Sequence, residues 1–159
     1  MKLGLISDTH GLIRPEALEA LRGSDLILHA GDVGSADVLA ALRTIAPVRA
    51  VRGNNDRGTW ARRLPERRTL RAGGVLVHLL HDLKDLHIDP RQRSIALVVS
   101  GHSHRPVIRE DGGVLFVNPG SAGPRRFSLP VSIGRCEIAG TRVDAHLISI
   151  QIPSRRIKR

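Results

Sequence analysis

Seven residues of this chain carry metal-ligand side chains and stand just past apolar segments. Asp8 and His10 follow LGLIS, Asp32 follows LILHAG and Asn54 follows VRAVRG. His81 follows VLVHLL, and His102 and His104 follow IALVVSG. Two carboxylates, one amide oxygen and four imidazoles are too many donors for one ion unless a carboxylate is shared. Two divalent cations about 3.5–4 Å apart, bridged by one Asp, use them all. Oxygen and imidazole donors without thiolate suit Mn²⁺, Fe²⁺ or Zn²⁺ better than Ca²⁺. Such a pair turns a bridging water into hydroxide near neutral pH and neutralises phosphoryl oxygens as the transition state forms. The chemistry indicated is phosphoester hydrolysis.

These residues act together only if the elements before them end at one place. KLGLIS reads as a strand, and Pro15 opens a helix, EALEALR, that stops at Gly23. DLILHA is a second strand, SADVLAALRTI a helix with Ser35 as its N-cap, and VRAVR a third strand. ERRTLRAGGVLVHLL reads as two strands joined through Gly73-Gly74, followed after Pro90 by the strand IALVVS. PVIREDGGVLFV turns at Asp111-Gly112-Gly113, and LPVSIGRCEIAGTRVDAHLISI turns at Ala139-Gly140. The early βα units predict parallel strands and the later half antiparallel ones, giving a mixed α/β sandwich. Sites in open α/β sheets form at the carboxyl ends of strands, so the five strand ends should converge. Within LISDTHG, an extended backbone would put Asp8 and His10 on one side, because residues two apart share a face.

Composition narrows the class. A chain of 159 residues is expected to form one domain, residues 1–159, with a short basic tail at about 153–159. Its single cysteine, Cys136, rules out an intrachain disulfide or a multi-cysteine metal site and fits a reduced, cytoplasmic setting. The start lacks a secretory pattern, and no apolar run approaches a membrane span. Lys and Arg outnumber Asp and Glu by 25 to 15, a net charge of +10 that favours anionic partners. Aromatics are only 2%, which argues against a base-stacking nucleic-acid module and leaves non-specific electrostatic contact with nucleic acid.

The motifs also carry a resemblance. The chain reads Asp8-Thr9-His10, Gly31-Asp32, Gly53-Asn54-Asn55-Asp56, His81 and Gly101-His102-Ser103-His104. That order resembles the calcineurin-like metallophosphoesterases, with their D-x-H, G-D, G-N-x-D/E, H and G-H-x-H blocks. The short length and NPGS at Asn118 to Ser121 look like the small bacterial and archaeal YfcE-like phosphodiesterase branch. The resemblance implies a four-layer α-β-β-α sandwich of mixed sheets with a two-metal centre at one edge. It implies that Asp8, His10, Asp32 and His104 hold one metal and that Asp32, Asn54, His81 and His102 hold the other. Asp32 is then the bridge that also holds the hydroxide. Mn²⁺ is the first expectation for both ions, with Fe²⁺, Zn²⁺ or Ni²⁺ as alternatives. The implied substrate is a small or nucleotide-like phosphodiester, and homo-oligomerisation stays open.

Two positions depart from that pattern. Asp82 follows His81 where the family commonly has Gly, which reads as an altered loop or a carboxylate that accepts from a ligand. Asn55 stands where larger members carry a His that serves as general acid, so no protein acid is assigned and basic leaving groups should react poorly. Asn55, Arg57, Arg105 and Arg125 are candidate substrate contacts, the arginines because each sits in or beside a motif. His29 reads as a satisfied core imidazole or one that supports a ligand, His78 as a packing residue, and His87 and His146 as surface ones. Asp56 reads as structural, holding Arg57 or capping a turn, and NPGS as scaffolding. Two other functions compete: a nuclease using the Arg-rich stretch from Arg49 to Arg71, and a non-catalytic scaffold such as the retromer subunit of this fold. The filled ligand positions favour catalysis.

Overall fold

The computed structural model describes residues 1–153, so the expected basic tail lies, beyond Pro153, outside the described residues. Apolar segments β1 (Lys2–Ile6), β2 (Leu26–His29) and β3 (Val48–Ala50) pair in parallel. Helices α1 (Pro15–Ala20) and α2 (Ala36–Arg43) supply the crossovers that parallel pairing demands. Pro15 opens α1, where its missing N–H is no loss. Ser35 precedes α2 as expected, although its hydroxyl makes no capping hydrogen bond. A short helix that the sequence did not announce, α3 (Thr59–Arg62), leads to the second sheet.

That sheet contains β4 (Arg67–Ala72), β5 (Val75–Leu80), β6 (Ile95–Val99), β7 (Val107–Asp111) and β8 (Val114–Asn118), in the order β4-β5-β6-β8-β7. The last hairpin, β9 (Ser132–Ala139) and β10 (Arg142–Ser149), returns to the first sheet, whose order is β10-β9-β1-β2-β3. One expectation is corrected here. The later half is not purely antiparallel, because β5, β6 and β8 run parallel. The physical reason is the connection after β5, which crosses the outer face through a 3₁₀ turn at Leu83–Asp85 before β6 begins. Hairpin β7–β8 then brings β8 back alongside β6 in the same direction.

The two sheets form a sandwich whose interior is aliphatic: Leu3, Leu5, Leu28, Val77, Leu79, Leu97 and Val99 are fully buried. Burying each such side chain contributes about 1.5–3 kcal/mol. On the far side of the first sheet, Ile6, Ile27 and Ile133 pack against Ala17 of α1, Leu21 just after it, and Val38, Leu39 and Leu42 of α2. Over the second sheet the outer layer is thin, with Leu83, Leu86 and Ile88 covering Leu80, Ile95 and Val98. Among the described residues no helix is long and apolar enough to cross a membrane. The parallel strands of both sheets end at one edge of the sandwich, and the loops leaving them carry the candidate ligands.

Candidate metal centre

The loops after β1 and β2 zip together through backbone hydrogen bonds: Asp8 N–H to Gly31 O, His10 N–H to Asp32 O and Gly11 N–H to Val33 O, at 3.0, 2.9 and 2.8 Å. This ladder, not an extended strand, aligns Asp8 with His10. Both residues are left-handed, with φ of +54° and +47°, which corrects the extended geometry expected for LISDTHG. Asp32, His102 and His104 share that conformation at +53°, +69° and +61°. Backbones of this kind cost about 1–3 kcal/mol each in residues other than Gly, and they persist where the surroundings over-determine them.

Close approach also sets the glycines beside the ligands. Gly53 passes so near Asp32 that a Cβ there would collide with Asp32's amide and carboxylate, and a Cβ on Gly31 would lie 2.7 Å from His81 Nδ1. Asp56 is a strut between these loops. Its carboxylate accepts from the backbone N–H of Val33, Gly34 and Gly53, at 3.2, 2.9 and 2.9 Å. Its structural role is therefore to tie the loop after β2 to the loop after β3. Asn118 does the same for the loop after β6, donating to Gly101 O at 2.8 Å and to Ser103 Oγ at 3.0 Å, while Ser121 Oγ donates to Asp8 O.

The seven candidate side chains meet. Asp8 Oδ1 lies 3.3 Å from His104 Nε2 and 3.9 Å from the Nε2 atoms of His10 and His81. Asp32 Oδ2 lies 3.8 Å from His10 Nε2 and 3.3 Å from His81 Nε2. Farther out, His102 Nδ1 lies 3.2 Å from Asn54 Oδ1 and 3.3 Å from His81 Nε2. Two compact groups result, Asp8–His10–His104 and Asp8–Asp32–His81. Asp8, Asp32, His81 and His104 are buried, whereas Asn54 and His102 form an exposed rim.

The donor set fits divalent cations. Among the described residues Asp8 Oδ1 is buried with no hydrogen-bond partner, although three ring nitrogens face it. Leaving a buried carboxylate oxygen in that state is costly unless a cation completes it. His10 and His104 turn Nε2 toward Nε2 at 3.3 Å, so one cation can be reached by both ring nitrogens. His81 donates Nδ1–H to Ala30 O at 2.7 Å, which leaves its Nε2 lone pair aimed inward, the orientation a metal-binding imidazole needs.

Electrostatics keeps the carboxylates ionised. Burial works to raise the Asp8 carboxyl pKa, but His104, His81 and the Ser7 hydroxyl outweigh it and hold it below its ordinary value. Asp32 is held far below the carboxylate range despite its burial, through His81 and the backbone and side-chain N–H groups of Asn55. Burial lowers the pKa of His10. The pKa of His81 is raised, because Asp32 and Asp8 overcome its desolvation.

The remaining expected positions fall differently. Asn55 is turned toward Asp32, its backbone N–H bonding Oδ1 at 2.8 Å and its side-chain amide bonding Oδ2 at 2.9 Å. Arg57, Arg105 and Arg125 are exposed, and none lines the cavity of about 320 Å³ that opens beside Asn54, His81 and His102. The arginines lining it are Arg52 and Arg67, with His87 on the same wall. His87 is at the surface as expected, but its place beside the centre had no signal in the sequence. Arg52 is paired with Glu66 at 2.9 Å, which leaves Arg67 as the cleft's uncommitted guanidinium among the described residues. His29 is fully buried beneath the ladder: its Nδ1 accepts from Gly31 N–H at 3.1 Å, so its Nε2–H donates to Thr9 Oγ1 at 3.0 Å. His78 contacts Thr69 Oγ1 at 2.8 Å.

Comparison with known proteins agrees with this geometry. The family model described as the calcineurin-like phosphoesterase superfamily domain matches residues 1–141. A probable metallophosphoesterase of Methanothermobacter thermautotrophicus is 37% identical over 165 residues, covering 96% of this chain and 95% of that protein. Wild-type Vps29 of Entamoeba histolytica, solved as a Zn²⁺ complex, superposes with a TM-score of 0.73 at 25% identity, covering 94% of this chain and 99% of that one. An archaeal phosphodiesterase superposes with a TM-score of 0.78 at 22% identity, over 93% and 100% of the two chains, a likeness of fold.

Proposed function

The chain belongs to the calcineurin-like phosphoesterase superfamily, and from that membership we propose that it is a metal-dependent phosphodiesterase acting on a small or nucleotide-like diester. The observation that carries this reading is the buried Asp8 Oδ1, without a hydrogen-bond partner among the described residues, facing the ring nitrogens of His10, His81 and His104. Two divalent ions bound there, Mn²⁺ first among the alternatives, would supply an acidified water as nucleophile and neutralise charge on the phosphoryl oxygens.

Asp8, His10, Asp32 and His104 would hold one ion, and Asp32, Asn54, His81 and His102 the other. Asp32 is the proposed bridge, its Oδ2 facing both His10 and His81, as Asp8 Oδ1 also does. Asp8 Oδ2 accepts from Ser7 Oγ at 2.7 Å and from the His102 backbone N–H at 3.0 Å, whereas both Asp32 oxygens accept from Asn55. Asn55 braces Asp32 rather than the departing oxygen, so this chain offers no acid at that position. The cleft beside Asn54 and His102 receives the diester, with the Arg67 guanidinium positioned for its anionic oxygens.

The Vps29 likeness supports a second reading, a zinc-binding scaffold without hydrolytic activity. A panel of aryl phosphodiesters, assayed after chelation and readdition of each divalent metal singly, separates the two. Restored hydrolysis, strongest with Mn²⁺, is the expected result. Metal binding without turnover on any diester would favour the scaffold.

A further inference from the structure

Away from the metal centre, Arg43, Arg49, Arg63 and Arg68 line one cavity of about 360 Å³, together with Val48, Ala50 and Leu64. These arginines come from four separate places. Arg43 ends α2, Arg49 is in β3, Arg63 follows α3 and Arg68 is in β4. Strands β3 and β4 are the outermost strands of their two sheets on this side of the sandwich. Val48 and Ala50 belong to the helix-side core, so Arg49 projects from the opposite face of its strand, toward the other sheet. Arg68 pairs with Leu79, which lies between the sheets, so Arg68 also turns inward. Among the described residues none of the four arginines forms an ion pair, and no carboxylate lines the cavity.

Inward charges on outermost strands discourage edge-to-edge pairing, and one arginine on each strand would serve that purpose. Arg43 and Arg63 come from outside both sheets, so edge protection does not account for them. Arg43, Arg49 and Arg63 are exposed, so solvent screens their mutual repulsion, and an anion among the four guanidinium groups would offset what remains. Guanidinium groups bind phosphate oxygens in pairs, and the cavity falls within the size range of small-ligand sites, about 300–1,000 Å³. Its lining holds no aromatic ring on which a base could stack.

We propose that this cavity is a second anion site, selective for a compact polyphosphate group and indifferent to any base attached to it. The site uses no residue of the metal centre, so its occupancy does not depend on the phosphodiesterase reading. Several charge-assisted contacts made at once should favour pyrophosphate and tripolyphosphate over monophosphate, with affinity that falls as salt rises.

The test is thermal unfolding and calorimetric titration in EDTA, on the native chain and on an Asp32→Ala background that disables the metal centre. Tripolyphosphate at 100 times its Kd should raise the melting temperature by about 5–10 °C in both. Arg49→Gln and Arg68→Gln should each weaken binding by about tenfold or more while leaving the ligand-free protein folded. ATP and tripolyphosphate should bind alike. No binding to the native chain, or binding unchanged in both Gln variants, would overturn the site. Much tighter binding of an oligonucleotide than of tripolyphosphate would overturn its selectivity and point instead to a strand-binding track.

Discussion

His102 Nε2 stands 3.6 Å from Asp82 Oδ2, while the other ring nitrogen, Nδ1, faces Asn54 and His81. The same Asp82 carboxylate accepts Lys84 N–H through Oδ1 at 3.0 Å, capping the 3₁₀ turn that follows. Asp82 is thus held by its own turn and presents a negative charge to the outer edge of a candidate ligand. A carboxylate in that place favours an imidazole with Nε2–H outward and the Nδ1 lone pair inward.

Asp82→Ala should therefore weaken metal binding by about 10–100-fold, and Asp82→Asn by less, because the amide oxygen can still accept. Calorimetric titration of the chelated protein with Mn²⁺ measures this without reference to turnover. Equal affinities in all three proteins would mean that Asp82 serves only its turn.

Asp32→Ala should remove both ions, since one Asp32 oxygen reaches the histidines of both groups. Elemental analysis after dialysis should give two equivalents for the native protein and far less for the variant. One tight equivalent that survives the substitution would refute a bridged pair.

His29 should make the chelated protein less stable in mild acid. Burial depresses its pKa from 6.5 to about 4, so the folded state stays neutral while the unfolded chain takes up a proton. Its contribution is fully present above pH 6.5 and is lost as pH falls from 6.5 toward 4, by up to about 3 kcal/mol. Urea midpoints across that range should fall more steeply for the native chain than for His29→Gln. Parallel curves would show that His29 does not carry the effect.

Leaving-group basicity should matter strongly. Asn55 is spent on Asp32 and cannot donate a proton, and general-acid catalysis is worth about 10²–10⁴-fold where it exists. Rates should drop sharply from nitrophenyl to alkyl diesters at saturating Mn²⁺. Asn55→His should flatten that slope if the imidazole reaches the departing oxygen. A shallow slope in the native enzyme would locate the proton elsewhere, with His87 on the cleft wall the first residue to replace.

The chain by itself determined the candidate ligand set and the strands that carry it. Apolar runs ending in Asp8, Asp32, Asn54, His81 and His102 are local features, and local spacing records them. Tertiary structure decided the rest, since it depends on pairings between distant segments. The left-handed turns at Asp8 and His10 exist because the loop after β2 hydrogen-bonds the loop after β1. Asp56 ties Gly53 to Val33 and Gly34, some twenty residues earlier, a partnership that no spacing encodes. The later strands mix parallel and antiparallel pairs because β5 reaches β6 by a crossover, and apolar alternation reports burial but not direction. Arg67 and Arg68 are neighbours in sequence, yet they face different cavities, because successive residues of a strand point to opposite sides of its sheet.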